Sequence, residues 1–118
     1  MMTKAFRFDR LGGPEVLQWT DVDLGDPGPG EVVIRNTAVG VNYRDVLTRQ
    51  GVHKVASLPS GLGLESAGLI EAAGPGVTGL AIGDRVVCVG MPDGAYAQAR
   101  KMLAARVIPL PAGIDDRT

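Results

Sequence analysis

The chain has 118 residues, with 12 basic and 13 acidic side chains and a formal net charge of −1, which suits one domain with its own core and leaves no room for a second. It contains neither a basic cluster for nucleic acid nor an apolar run long enough to cross a membrane. The charged start, MMTKAFRFDR, lacks the apolar stretch of a signal peptide, so we expect a cytoplasmic protein.

The first third of the chain has the pattern of short strands separated by turns. Residues 3–10 and 16–24 are predicted strands, and the LGGPE segment ends the first of them. DPGPGE (26–31) has the proline and glycine residues of a turn. EVVIRNTAVGVN (31–42) is the strongest predicted strand, because its side chains alternate between two faces.

A short helix is predicted near residues 43–50. Asn42 suits the N-cap position, and Asp45 falls in the first turn, where the helix dipole favours a negative charge. Gly51 suits the left-handed residue that follows a helix. Asn42 and Asp45 therefore have a capping interpretation beside any functional one.

The second half of the chain continues the β pattern, with one ambiguous segment. Residues 53–63 are predicted to form a loop, 64–74 a strand, 74–79 a turn and 83–90 a strand. Residues 95–106, AYAQARKMLAAR, are good helix formers, yet β-like sequence flanks them on both sides. The residues alone predict a mainly β protein, an antiparallel barrel or sandwich with one helix.

The segment GPGVTG (74–79) matches the G-x-G-x-x-G pattern of dinucleotide-binding loops and follows a predicted strand. Its context does not fit, because Pro75 lies inside the loop and the next residues are too few for the required helix. A β-turn is the favoured interpretation.

The single cysteine and the single histidine do not indicate a metal site. Cys88 and His53 are separated by 34 residues of mixed strand and turn, and Cys88 lies in an apolar strand pattern typical of a buried thiol. His53 is either a solvated loop histidine or a pocket residue. Glu65, in GLGLESAG, is either a catalytic base or a structural acid; the structural role is favoured, with Arg85 as the candidate partner.

Six motifs taken together resemble one enzyme family. They are LGGPEVL (11–17), PGPGEVVIRNTAVGVNYRDVLTRQG (27–51), LPSGLGLESAG (58–68), AAGPGVT (72–78), GDRVV (83–87) and GAYAQ (94–98). Their order and spacing resemble the medium-chain dehydrogenase/reductase superfamily, and within it the zinc-free NADPH:quinone oxidoreductase branch. The resemblance implies a GroES-like antiparallel β-barrel with one or two short helices. It also implies strands from residue 94 through VIPLP, against their helix propensity.

The same resemblance implies a function. Zinc alcohol dehydrogenases have Gly-His-Glu where this chain has Gly63-Leu64-Glu65, and a cysteine where it has Asn42, so no zinc is expected and Glu65 becomes a structural acid. The family transfers hydride from NADPH to a quinone or enone. Full-length members add a Rossmann domain, which places residues 1–118 in the catalytic domain and implies that this chain alone is inactive and binds no NADPH. A homodimeric full-length enzyme stays open.

The resemblance also suggests site residues. Asn42 matches a family asparagine near the nicotinamide ribose, and Asp45 matches an acidic residue one helical turn further on; both are taken as catalytic. Tyr43 is a candidate for the acceptor pocket. His53 is another, at a position where many relatives have a tyrosine.

Two other functions stay open. One is a non-enzymatic GroES-like oligomeric or partner-binding module, for which the only candidate mobile loop, VHKVASLPSG, is short and braced by proline. The other is a zinc alcohol dehydrogenase-like domain. The mass in solution would distinguish the first from a reductase domain, and metal analysis the second.

Overall fold

The computed structural model describes residues 2–55, 57–90 and 93–116, which contain eight strands and one α-helix. The strands are β1 Met2–Phe8, β2 Gln18–Asp23, β3 Glu31–Val39, β4 Ser60–Gly61, β5 Glu65–Ala73, β6 Arg85–Val89, β7 Ala99–Leu103 and β8 Val107–Pro109. Helix α1 spans Tyr43–Gln50, and single 3-10 turns cover Pro14–Val16 and Ala104–Arg106. The prediction of a mainly β chain with a helix near residues 43–50 is confirmed. No helix in the described part of the chain is long and apolar enough to cross a membrane.

The strands form two antiparallel sheets. The larger has the order β7-β3-β5-β6-β8 and the smaller the order β2-β1-β4. An isolated antiparallel bridge between Ala5 and Ala97 connects β1 to the segment that precedes β7. The antiparallel architecture agrees with the GroES-like fold, although hydrogen bonding divides it into two sheets linked at this bridge.

The main core lies against the larger sheet. Its buried residues are Val32, Ile34, Ile70, Val86, Cys88, Met102 and Val107. Burial of side chains of this size stabilises the fold by about 1.5–3 kcal/mol each. The predicted alternation along β3 is wrong at its start, because Val32, Val33 and Ile34 are all buried. A central strand covered on both faces loses the alternation typical of a half-exposed strand.

A second, smaller core lies beneath the smaller sheet. Phe8, Val16 and Leu62 are almost fully buried, and Val55 and Tyr96 pack against them. Because β4 pairs with β1, Leu62 is held close to Phe8. The short strand β4 falls within the segment that was predicted to be loop, so the loop prediction is wrong at residues 60 and 61.

The segment GAYAQ (94–98) does not form the predicted strand, apart from the bridge at Ala97, and β7 begins only at Ala99. The physical reason is that its backbone groups bond elsewhere. The N–H of Tyr96 donates to the carbonyl of Leu62 at 2.9 Å, and the side-chain amide of Asn36 donates to the carbonyls of Ala95 and Ala97. Residues 99–103 and 107–109 are strands as predicted, interrupted by the 3-10 turn.

The segment GPGVTG (74–79) forms a turn, and no helix follows before β6. Gly74 donates its N–H to the carbonyl of Glu31, and Gly30 donates to the carbonyl of Pro75. A side chain at Gly74 would overlap the carbonyl of Gly28. This turn is therefore packed against the turn before β3.

Candidate active site at the start of the helix

Helix α1 begins with a reciprocal arrangement of Asn42 and Asp45. Asn42 has the extended backbone of an N-cap residue, with φ −122° and ψ 149°, and the pair forms a capping box. The Asn42 N–H donates to Oδ2 of Asp45 at 3.1 Å, and the Asp45 N–H lies 2.9 Å from the main-chain carbonyl oxygen of Asn42. The capping interpretation of both residues is confirmed, and so is Gly51 as the left-handed end of the helix, with φ +91°.

The side-chain amide nitrogen of Asn42 has no partner. Nδ2 is buried and makes no hydrogen bond within the described residues. An unsatisfied buried polar atom costs about 1–3 kcal/mol, and Oδ1 of Asn36 and Oδ1 of Asp93 are also without a hydrogen-bond partner among the described residues. Nδ2 of Asn42 is the one donor of the three, so it is the atom that a ligand oxygen could satisfy. This amide is the clearest functional signal near the helix.

Asp45 is the most buried member of the predicted site, with 3% of its surface exposed. The hydroxyl of Tyr96 donates to its Oδ2 at 2.6 Å. Burial of the phenol is the main cause that raises the pKa of Tyr96, and the bond to the Asp45 carboxylate raises it further, while the charge of Arg49 opposes the shift. The phenol therefore stays protonated and remains a donor to Asp45.

Sequence analysis did not identify Tyr96. It lies in GAYAQ, which was used only as a strand and family signal. The sequence carried no signal for it; in the structure its ring lies against Gly63, which has φ +102° and no space for a side chain. A glycine that must be small beside an aromatic ring marks a fixed ring position.

Tyr43 and His53 are not brought together with Asn42 and Asp45 by any contact. Tyr43 is 73% exposed on the first turn of α1, and His53 is exposed two residues beyond Gly51. Neither side chain has a hydrogen bond or ion pair to another described residue. Their place in an acceptor pocket stays a prediction.

The predicted partnership of Glu65 with Arg85 is wrong. In the antiparallel pairing of β5 with β6, Glu65 faces Val89 whereas Arg85 faces Leu69, four positions along the ladder or roughly 13 Å away. Arg85 instead bonds Asp116 at 2.7 Å. The carboxylate of Glu65 lies against the α-carbon of Gly40, where a side chain would overlap it, and it has no described hydrogen-bond partner.

Cys88 is buried, as predicted. Its sulfur lies 3.3 Å from Oγ of Ser66 and 3.7 Å from Nη1 of Arg100. Within the described ranges, no group of three or more Cys, His, Asp or Glu side chains could hold a metal ion. Cys88 and His53 do not come together.

Two surface grooves flank the segment Val39–Val41, which leads into Asn42. One, of about 310 Å³, includes Gly40, Glu65 and Ser66; the other, of about 420 Å³, includes Trp19, Val41 and Tyr96. Val41 itself is 80% exposed. Val39 and Val41, which precede Asn42 in the sequence, are thus exposed apolar side chains.

The alcohol dehydrogenase GroES-like domain model matches residues 28–112. The chain is 44% identical over 114 residues to a quinone oxidoreductase of Pseudomonas aeruginosa, covering 97% of this chain and 35% of that protein. It is 40% identical over 117 residues to a 2-haloacrylate reductase of a Burkholderia species, and the match covers 97% of this chain and 35% of that protein.

The solved structure of Escherichia coli quinone oxidoreductase complexed with NADPH superposes with a TM-score of 0.92 at 39% identity, covering 96% of this chain and 35% of that one. The chain therefore spans about 35% of the length of the two curated relatives named above.

Proposed function

Because the chain belongs to the alcohol dehydrogenase GroES-like domain family, we propose that it is the catalytic domain of a zinc-independent oxidoreductase that transfers hydride from NADPH to a quinone or related enone. Similarity to quinone oxidoreductases along nearly the whole chain supports this proposal, and so does the NADPH held by one of those relatives. The similarity to a 2-haloacrylate reductase supports an activated alkene as the wider acceptor class.

The unpartnered amide of Asn42 carries the proposal. A buried amide N–H without an acceptor fits a ligand that brings an oxygen, such as a ribose hydroxyl or the nicotinamide carboxamide. When bound, NADPH supplies the hydride. Asn42 then holds the donor by this hydrogen bond, and Asp45 fixes the backbone of Asn42 from inside the first turn.

Tyr43 and His53 complete the proposal as walls of the acceptor site. Tyr43 is exposed at the start of α1 and His53 is exposed just beyond its end, where a second domain or a bound acceptor would cover them. Hydride transfer gains from a donor and acceptor held at close range, and small misplacements are costly. Residues that exclude water and limit the movement of the acceptor therefore matter as much as residues that bind the acceptor.

Zinc independence is part of the proposal. A structural or catalytic zinc site uses Cys, His and carboxylate ligands, whereas Asn42 and Leu64 occupy the two positions where zinc alcohol dehydrogenases place ligands. A leucine side chain cannot donate electrons to a metal. The lack of a three-ligand cluster among the described residues supports this view.

The nucleotide phosphates require a separate domain. The turn at residues 74–79 is packed against Gly28 and Gly30 and opens no helix, so it does not supply the phosphate site of a βαβ unit. We propose that a Rossmann-type domain provides that site.

A chimera tests the proposed function. This chain replaces the matched 35% of the E. coli quinone oxidoreductase, and NADPH oxidation is followed with a soluble quinone and with an alcohol. We expect quinone-dependent oxidation that resists zinc chelators. A folded chimera that binds NADPH without quinone turnover, or that needs zinc, contradicts the proposal. Far-UV circular dichroism and a thermal melt establish folding independently of activity.

A further inference from the structure

One carboxylate oxygen joins two distant parts of the chain. Oδ2 of Asp45 accepts the hydroxyl of Tyr96 at 2.6 Å and the N–H of Asn42 at 3.1 Å. Hydrogen bonds to a charged acceptor are roughly twice as strong as neutral ones. The N-cap residue is therefore linked through a single atom to a phenol that packs against the small core.

Tyr96 is itself firmly held. Its N–H donates to Leu62, its carbonyl accepts the N–H of Phe6 at 2.8 Å, and its ring packs against Gly63. The carbonyls on either side of it accept the amide of Asn36 at 3.1 and 2.9 Å. These contacts leave the phenol little freedom, which makes it a rigid reference point for Asp45.

We propose that Tyr96 is a positioning residue for the amide of Asn42, acting through Asp45. Without the phenol, Oδ2 has only the Asn42 N–H to orient it, and the carboxylate rotates more freely about its side-chain bonds. A change in the orientation of the carboxylate shifts the backbone of Asn42, and this shift changes the direction of its unpartnered amide N–H. What the amide binds rests on the proposed function, whereas the linkage from Tyr96 to Asn42 does not.

A purely structural tie between α1 and residues 94–98 is the alternative. It predicts that loss of the hydroxyl disturbs the whole segment around Tyr96. The positioning role predicts a local change at Asn42. The chain contains only two asparagines, Asn36 and Asn42, and they report on these two places separately.

The test is the side-chain amide NMR signals of the 118-residue chain with Tyr96→Phe. We expect the Asn42 NH₂ signals to shift or broaden while those of Asn36 stay in place. The control is Thr48→Val, which removes a buried hydroxyl of α1 whose one hydrogen bond to a described residue is to the Arg44 carbonyl, and it should move neither pair. Unchanged Asn42 signals, or equal changes at Asn36, overturn the proposal.

The chimera adds a kinetic arm. Tyr96→Phe should lower kcat with NADPH on the order of tenfold, and it should have little further effect in an Asn42→Leu background, because the two variants remove the same function. Additive effects contradict positioning through Asn42. An inactive but folded chimera contradicts the proposed function, while the NMR result still decides the linkage.

Discussion

The hydroxyl of Tyr96 and Oδ2 of Asp45 lie 2.6 Å apart although 51 positions separate the two residues in the sequence. This bond fastens the first turn of α1 to the irregular segment before β7. Since Asp45 also receives the N–H of Asn42, the packing of the small core and the start of the helix are not independent. Substitution of either residue should therefore alter the position of Asn42 at the candidate active site.

The first prediction concerns the ionisation of Tyr96. Burial and the Asp45 carboxylate both raise its pKa, so its tyrosinate absorbance should begin above the ordinary phenol value of about 10. In a Tyr43→Phe background Tyr96 is the only tyrosine. Asp45→Asn should bring the onset closer to the ordinary value, because the negative charge beside the phenol is then removed while its burial remains. An onset near the ordinary value in the Tyr43→Phe protein would contradict the hydrogen bond.

The same shift makes stability depend on pH. The unfolded chain loses the phenolic proton near pH 10 and the folded chain only above it, so the folded state holds more protons in that range. The stabilisation from Tyr96 is complete below about pH 10 and is lost as the pH rises through the folded pKa. Urea unfolding at alkaline pH should show a steeper loss for Tyr43→Phe than for Tyr43→Phe with Tyr96→Phe. An equal loss of stability with pH in the two variants would contradict the raised pKa of Tyr96.

The second prediction compares two glycines. Gly63 has φ +102°, and a side chain there would meet Cδ1 of Tyr96 at 2.5 Å; Gly76 has φ +81° and open space around it. Both alanine variants incur the cost of a left-handed backbone, of order 1–3 kcal/mol, but only Gly63→Ala also overpacks, by about 1–3 kcal/mol more. Denaturant unfolding measures the difference. Equal losses would mean that the ring is not fixed against Gly63.

The third prediction is that Asn42→Leu separates function from stability. The Asn42 amide donates no hydrogen bond to any described residue, so the substitution removes only the helix cap, which is worth about 1 kcal/mol of unfolding free energy. Turnover of the chimera with NADPH should fall by about tenfold or more. Thermal melts and steady-state rates decide, and wild-type kinetics would leave Asn42 as a helix cap only.

The fourth prediction is the converse behaviour of Asp45→Asn. Oδ2 of Asp45 accepts two hydrogen bonds inside the protein, and an asparagine oxygen in its place accepts the same two without the negative charge that strengthens them. We expect a loss of about 2 kcal/mol in unfolding free energy. A loss below that of Asn42→Leu in the same denaturant experiment would contradict the central role of Asp45.

The fifth prediction is that the chain purified from zinc-supplemented medium contains far less than stoichiometric zinc. Asn42→Cys combined with Leu64→His restores the two ligand types of zinc alcohol dehydrogenases and serves as the matched comparison. Metal analysis of both proteins provides the test. Stoichiometric zinc in the unaltered chain would support the alcohol dehydrogenase-like alternative.

Calorimetry on the same sample should find no micromolar NADPH binding, which would correspond to a binding free energy of about 8 kcal/mol.

Local chemistry was enough to predict the helix and most strands. Asn42, Asp45 and Gly51 have the residue types that begin and end a helix, and the positions of these residues in the fold agree. The strands β5 and β6 follow from apolar runs between glycine turns. Residues whose structure depends on their immediate neighbours are the ones that sequence reasoning locates.

Residues that depend on distant partners were missed. Tyr96 is significant only because Asp45 lies against it, and Arg85 failed as a partner for Glu65 because strand register, not sequence distance, sets which side chains face each other. The segment 94–98 departs from a strand because Asn36 takes two of its carbonyls. None of these pairings has a local signature.

The contact between Gly74 and Gly28 bears on how this domain tolerates change. Surface loops usually accept insertions and grafted sequences, but here the turn before β3 and the turn after β5 are interlocked by two backbone hydrogen bonds and a close main-chain approach. Lengthening either one displaces the other. Gly83 lies beyond the interlocked turn and has open space around it, so the stretch before β6 is the better place to attach a fluorescent label.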